Sequence, residues 1–157
     1  MRPLELKSAQ IRTIYQRLLE AWNAQDADAF SSLFADDGYV VGFDGSEMTG
    51  RKDIRQQLSE IFTHHEVASY VSIIRDVKQW SPNIYMLKAT AGMLPPEQST
   101  INPKVNAVQT LVARFDDEEL KIVFFQNTPA AYHGRPEKTE QLTKDLNAAV
   151  DSNKTAV

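Results

Sequence analysis

A strand near the end of the chain changes from apolar to polar side chains just before it stops. The segment KIVFFQNTP ends in Gln126, Asn127 and Thr128, which can all donate and accept hydrogen bonds. These side chains can recognise a polar group, but an amide cannot transfer a proton as a general acid or base. They either satisfy the local backbone or face a cavity that holds a polar ligand.

The three histidines are the other candidates for chemistry. His64 and His65 close a predicted helix, where histidine favours the negative end of the helix dipole. Neighbouring helical residues point in different directions, so a metal site there would need ligands from elsewhere, and we expect no metal. His133 lies in a short segment between two prolines, and we expect it at the surface, at a cavity mouth or at a dimer edge.

The composition excludes several classes of protein. The chain of 157 residues is 42% apolar and has a net charge of -4, which is typical of one folded domain and unlike a nucleic-acid-binding surface. It contains no cysteine, and it has no apolar run long enough for a secretory signal or a membrane span. No glycine-rich dinucleotide loop is present, so we expect no cofactor. We expect a single cytoplasmic domain over residues 1–157.

Apolar spacing predicts the elements that position these groups. Helical spacing predicts helices at about 5–24 and 51–64, with a short helix between them that contains Phe30, Leu33 and Phe34. A strand is expected at 39–43, then four more at 70–80, 84–93, 105–115 and 120–128, and a last helix at about 136–150. The prolines of segment 94–103 predict a long loop. Helices followed by strands favour an α+β domain whose antiparallel meander curls around the helices.

A register for the last hairpin follows if Phe115 lies opposite Leu120 across the acidic turn. Alternation of side chains then puts five cross-strand pairs on one face, and the last two of these pairs join Gln109 to Gln126 and Ala107 to Thr128. We expect Gln109, Gln126 and Thr128 to face inwards, where the two amides either bond each other or line a pocket. Asn127 is expected on the opposite face.

That opposite face is also largely apolar, since it carries Val108, Val112, Val123 and Phe125. A layer of helices covers only one face of a sheet. A second copy of the chain is the simplest partner for the other face. We therefore expect a homodimer through the outer face of the sheet.

Three segments resemble a known superfamily. AWNAQDADAFSSLFADDGYVV, from Ala21 to Val41, resembles the first helices and strand of the nuclear transport factor 2-like fold. NAVQTLVARF and FFQNTP resemble the last two strands of its SnoaL-like branch, among proteins labelled SgcJ/EcaC-type. The resemblance covers about residues 8–130, and the helix from Pro136 is an addition. It implies a cone, in which a strongly bent, antiparallel or mixed sheet and three N-terminal helices enclose a mostly apolar cavity.

The resemblance also bears on catalysis. Ketosteroid isomerases of this superfamily use a carboxylate base and a tyrosine, and those positions fall on Gly42 and Leu18 here. Many SnoaL-like relatives carry a histidine where this chain has Gln126, and glutamine does not titrate. We therefore expect no catalytic residue with the family's chemistry, although Tyr15 and Asp44 lie close to the two positions.

Three hypotheses follow from these observations. The first is a protein that binds a small, largely apolar molecule in the cone. The second is a cofactor-independent isomerase, cyclase or dehydratase for a polyketide- or steroid-like substrate, which would need Tyr15, Tyr39, Asp44 or His133 in the pocket. The third is a protein-association module, which a filled cone would favour. The expected ligand-binding residues are Tyr15, Trp22, Tyr39, Phe43, Phe62, Gln109, Gln126 and Thr128.

Overall fold

A computed structural model describes residues 3–155, with side chains described for residues 4–152. It contains four helices and six strands in this part of the chain. In chain order these are α1 (Pro3–Asn23), α2 (Ala27–Ser32), β1 (Phe34–Val41), β2 (Glu47–Thr49), α3 (Arg51–His64), β3 (Ser69–Ser81), β4 (Ile84–Leu94), β5 (Asn102–Asp116), β6 (Glu119–Pro129) and α4 (Pro136–Thr155).

The strands form one curved, unclosed sheet in the order β2-β1-β6-β5-β4-β3. Strands β3 to β6 make the predicted antiparallel meander, whereas β1 runs parallel to β6. Gly38 lies in β1, where a Cβ atom would come within 2.8 Å of the Ile122 carbonyl oxygen. A glycine at this position therefore permits the close approach of β1 to β6. The predicted α+β class is confirmed.

Helices α1 to α3 pack on one face of the sheet, which we call the inner face. The predicted stripe of α1 is buried there, with Ile11, Tyr15 and Leu18 at 0% exposure. Asp26 caps α2 by accepting a hydrogen bond from the Ala29 amide at 2.9 Å. We call the space between the inner face and these helices the cone. No helix within residues 3–155 has the length and apolar character needed to cross a membrane.

Helix α4 covers part of the opposite, outer face. Its Leu142, Leu146 and Val150 side chains form a second apolar cluster with Val71 and Ile101. The outer face that was expected to bind a second copy is therefore partly covered by the chain's own helix. An uncovered region remains around Tyr39 and Phe124, whose rings meet edge to face at 5.2 Å. The homodimer itself stays a prediction.

Two local predictions about the first strands are wrong. Phe34 was expected in the short helix, but it begins β1, because α2 ends at Ser32. Strand β1 starts five residues earlier than expected, and the short β2 was not predicted. Phe34 is fully buried and stacks on Phe30 at 5.7 Å, so tertiary packing explains its apolar character without a longer helix.

The predicted register of the last hairpin holds only near its turn. Phe115 pairs with Leu120 and Ala113 with Ile122, but Val112 then pairs with Phe124. The extra residue, Val123, is a β-bulge, and a shift of one residue reverses the faces of everything beyond it.

As a result, Gln109 pairs with Asn127 rather than with Gln126, and Thr128 pairs with Val108. The inward placement of Gln126 and Thr128 is therefore wrong. Their side chains lie on the outer face within 3.4 Å of each other. Asn127, which was expected outside, faces the cone and is 7% exposed.

Candidate functional site in the cone

A chain of hydrogen bonds between uncharged side chains crosses the cone. The Tyr15 hydroxyl group on α1 donates to Oε1 of Gln109 on β5 at 2.5 Å. Nε2 of Gln109 donates to Oδ1 of Asn127 on β6 at 2.8 Å. Tyr15 and Gln109 are both 0% exposed. One glutamine thus joins the helical layer to two strands of the sheet.

Strand β3 supplies the rest of this group. The Asn127 side chain faces the Tyr70 hydroxyl group and the Ser72 side chain faces that of Tyr15, and each lowers the pKa of the tyrosine that it faces. Since Oδ1 of Asn127 accepts from Gln109, its amide nitrogen is left to donate to Tyr70. We call Tyr15, Tyr70, Ser72, Gln109 and Asn127 the polar cluster.

Burial keeps both tyrosines of the polar cluster neutral. It raises the pKa of Tyr70 to about 12, an effect that the hydrogen bond from Asn127 partly offsets. Burial also raises the pKa of Tyr15 well above its ordinary value; Ser72 partly offsets this rise, and the neighbouring Tyr70 adds to it. At neutral pH the polar cluster can therefore donate and accept hydrogen bonds but carries no charge.

Three aromatic rings pack together where Tyr70 meets α1 and α3. Trp22 meets Phe62 edge to face at 5.3 Å and Tyr70 at 5.2 Å, and all three rings are half-buried. The Trp22 indole N–H donates to the Ala68 carbonyl at 2.9 Å, which provides the acceptor that a buried indole requires. We call Trp22, Phe62 and Tyr70 the aromatic edge.

The backbone of β3 is fixed to the end of α1 beside these rings. Nδ2 of Asn23 donates to the Tyr70 carbonyl at 3.1 Å, and the Tyr70 amide donates to Oδ1 of Asn23 at 2.7 Å. This paired contact positions the Tyr70 ring against Trp22.

A scan of family models matches residues 11–132 to one family, the SnoaL-like domain. The match spans most of the chain and stops before α4. This chain belongs to the SnoaL-like family. No curated protein matches the SnoaL-like chain significantly.

Solved structures share its fold at low sequence identity. A domain of unknown function with a cystatin-like fold from Nostoc punctiforme has a TM-score of 0.75 and 17% identity, over 94% of this chain and 96% of that one. A ketosteroid isomerase-like protein from Erwinia carotovora atroseptica has a TM-score of 0.62 and 15% identity, over 78% and 95% of the two chains.

A third neighbour, from Thiobacillus denitrificans, is named for the association domain of calcium/calmodulin-dependent protein kinase type II. Its TM-score is 0.66 at 11% identity, over 75% of this chain and 93% of that one. At these identities the likenesses show the fold alone, which confirms the predicted bent-sheet α+β fold.

The structure of this SnoaL-like chain brings together only half of the expected ligand-binding residues. Those it gathers around the cone are Tyr15, Trp22, Phe62 and Gln109. It places Tyr39, Gln126 and Thr128 on the outer face, and Phe43 just beyond β1, outside both apolar clusters.

Sequence reasoning missed Asn127, Tyr70 and Ser72. The bulge at Val123 turns Asn127 to the face opposite the predicted one, and nothing in the sequence marks this bulge. The alternation of Tyr70, Ser72 and Ile74 along β3 was a usable signal, because Ile74 also packs against the inner cluster.

Three of the four groups that an enzyme was expected to need lie away from the cone. Asp44 is in the exposed turn after β1, where hydrogen bonds from Ser46 hold its pKa below the ordinary value. His133 is exposed in the segment before α4, and Tyr39 is 38% exposed on the outer face. Of the four groups that an enzyme was expected to need, only Tyr15 reaches the cone.

The innermost polar side chains are closed off from solvent, with Tyr15 and Gln109 at 0% exposure and Asn127 at 7%. Surface depressions of about 460, 470 and 600 Å³ occur among the described residues, and Tyr15, Gln109 and Asn127 line none of them. Within the described residues, no group of three or more histidine, aspartate and glutamate side chains is arranged to hold a metal ion.

Proposed function

We propose that this SnoaL-like protein binds a small, uncharged, largely apolar molecule that carries one hydrogen-bonding oxygen, such as a cyclic ketone. The binding site comprises the polar cluster and the aromatic edge. The observation that carries the proposal is the hydrogen-bonded chain from Tyr15 through Gln109 and Asn127 to Tyr70 inside an otherwise apolar cone.

The energetics of burial support a role for this chain of hydrogen bonds beyond stability. Each buried polar group that loses its partner costs about 1–3 kcal/mol, so a satisfied network gains little over an apolar core of the same shape. Leucine and phenylalanine at these positions would fill the same space. Uncharged polar groups from four elements are better explained by a ligand that uses them.

Tyr70 is the residue through which a ligand would join the network. Its hydroxyl group accepts from Asn127 and retains its own proton for donation. Its ring is half-buried and contacts Trp22, so the hydroxyl group lies between the polar cluster and the aromatic edge. A ligand carbonyl would accept from Tyr70 while its apolar body packs on the rings.

Because Tyr15 and Gln109 are closed off from solvent, a ligand must displace side chains to reach them. The rings of the aromatic edge are half-buried, whereas Tyr15 and Gln109 are fully buried. A ligand therefore enters from the half-buried rings, and Tyr15 and Gln109 are the fixed part of the recognition element. The measured binding free energy is then less favourable than the contacts alone would give, because it includes the cost of opening the cone.

Matched ligands test this proposal. Calorimetric titration would compare 2-acetylnaphthalene with 2-ethylnaphthalene, which has a similar shape but no oxygen. We expect the ketone to bind about tenfold more tightly, the equivalent of one hydrogen bond. The variant Tyr70→Phe should remove that preference, while the outer-face control Tyr39→Phe should keep it. Equal affinity for the two compounds in the unaltered protein would rule out oxygen recognition.

Association through the outer face is the second candidate function. Tyr39 is 38% exposed and packs on Phe124, next to the half-buried Val112, and these three residues form an apolar patch that α4 does not cover. A second copy of the chain would bury this patch.

Light scattering after size exclusion tests the homodimer. We expect a dimer at micromolar concentration, a monomer for Phe124→Asp, and no change for Thr128→Asp at the margin of the same face. A monomeric unaltered protein would exclude this candidate, and it would leave ligand binding in the cone untouched.

A further inference from the structure

We infer that ligands reach the cone past the Phe62 side chain, from a surface depression between the α1–α2 turn and the last turn of α3. This inference rests on the proposed ligand binding in the cone. It assigns the access route and the one side chain that opens it.

The depression and the cone share Phe62 as a common wall. The depression has a volume of about 470 Å³ and is lined by residues 24–26 of the α1–α2 turn, residues 27–28 of α2, and Ser59, Phe62 and Thr63 of α3. On the cone side, the Phe62 ring contacts Trp22 at 5.3 Å. Trp22 contacts Tyr70, whose hydroxyl group is bonded to Asn127 of the polar cluster.

The three rings of the aromatic edge differ in how firmly they are held. Trp22 is fixed by the hydrogen bond from its indole to Ala68. Tyr70 is fixed at its backbone by Asn23 and at its hydroxyl group by Asn127. Phe62 has no polar atom in its side chain, so it is held by apolar packing and by its ring contact with Trp22. It also lies two residues from the end of α3, where helices open most readily. Rotation of Phe62 is therefore the least costly way to open the cone.

The lining of the depression favours uncharged ligands. Asp26 and Asp28 both line it, and Asp28 forms a 3.6 Å ion pair with the exposed Arg55. An anionic ligand would approach two carboxylates, whereas a neutral one would not be repelled. The route thus agrees with the uncharged character of the polar cluster.

Tryptophan fluorescence measures access without any ligand. The chain has two tryptophans, so Trp80→Phe leaves Trp22 as the sole reporter. In this background, we expect Phe62→Ala to raise the acrylamide quenching constant of Trp22 about twofold or more, because a half-buried ring becomes accessible. The matched control is Phe124→Ala, which removes a half-buried ring on the outer face. Quenching that is unchanged in Phe62→Ala, or raised equally in the control, overturns the route.

Stopped-flow binding of 2-acetylnaphthalene supplies the second arm. If Phe62 limits passage, Phe62→Ala should raise the association rate constant of the ketone by about tenfold, in addition to any rise in the dissociation rate constant from the lost ring contact. A rise in the dissociation rate alone would make Phe62 a contact residue and overturn its role in access. Phe62→Leu should raise the association rate constant by a smaller factor, and this variant replaces Phe62→Ala in the test if Phe62→Ala fails to fold.

The two arms separate this inference from the proposed function. Raised quenching without detectable binding of the naphthyl ketone supports the route and refutes the proposed ligand site. If the unaltered protein binds the ketone, but Phe62→Ala changes neither the quenching nor the rate constants, the proposed ligand site is supported and the route is refuted.

Discussion

The cone buries two tyrosines at its two ends, and their surroundings differ. Tyr15 donates to Gln109 and contacts Ser72 inside the polar cluster. Tyr85 is 1% exposed, packs edge to face on Phe115 at 5.8 Å, and has a hydroxyl group without a hydrogen-bond partner among the described residues. The comparison shows that burial of a hydroxyl group does not by itself mark a site. What distinguishes Tyr15 is a set of complementary partners from other elements of the fold.

The largest effect is expected at the residue that joins the polar cluster. Gln109→Leu removes the acceptor of Tyr15 and the donor to Asn127, and it leaves two buried groups without their partner. The free energy of unfolding should fall by about 2–4 kcal/mol, measured by urea denaturation. The double variant Tyr15→Phe with Gln109→Leu should recover part of this loss, because one orphaned hydroxyl group is then gone. If Gln109→Leu loses less than about 0.5 kcal/mol, the hydrogen bonds of Gln109 contribute no more to stability than the unpartnered hydroxyl group of Tyr85 does.

Most of the fold followed from the sequence, but the site followed only in part. The stripe on α1 and the period-two strands predict the layers, because each buries many side chains and tolerates local errors. A cone-facing residue such as Asn127 depends on a single bulge, and one inserted residue reverses every side chain beyond it. The early start of β1 at Phe34 was hidden for a similar reason, since a buried aromatic suits either a helix or a strand.

The second-largest loss of stability is expected at Asn127, which the observed register of the β5–β6 hairpin turns towards the cone. Asn127→Leu removes the acceptor of Gln109 and the partner of Tyr70, and we expect a loss of about 1–3 kcal/mol in the free energy of unfolding. Its neighbour Gln126 lies on the outer face, so Gln126→Leu should change stability by no more than about 0.5 kcal/mol. Chemical denaturation of these two variants also tests whether the β-bulge at Val123 exists. If Gln126→Leu were the more damaging substitution, the hairpin would have the register predicted from the sequence.

A smaller effect separates the two tyrosines directly. Tyr15→Phe removes a donor from a satisfied pair and should lower the free energy of unfolding by about 1 kcal/mol. Tyr85→Phe removes a hydroxyl group that has no partner within the described residues, so it should be neutral or slightly stabilising. Thermal melts of both variants, at matched pH and concentration, give the comparison. Equal destabilisation would show that Tyr85 also has a partner, and the contrast between the ends of the cone would disappear.

The last effect is confined to alkaline pH and concerns Tyr70. An unfolded tyrosine loses its proton near pH 10, whereas burial raises the pKa of Tyr70 to about 12 in the folded protein. Between these values the unfolded chain binds fewer protons than the folded one, so the free energy of unfolding falls as pH rises. Below about pH 9 Tyr70 contributes no slope. Tyr70→Phe should therefore reduce the loss of stability between pH 10 and pH 12, measured by urea denaturation at each pH. Identical slopes for the two proteins would mean that the Tyr70 hydroxyl group is open to solvent and that the aromatic edge does not shield it.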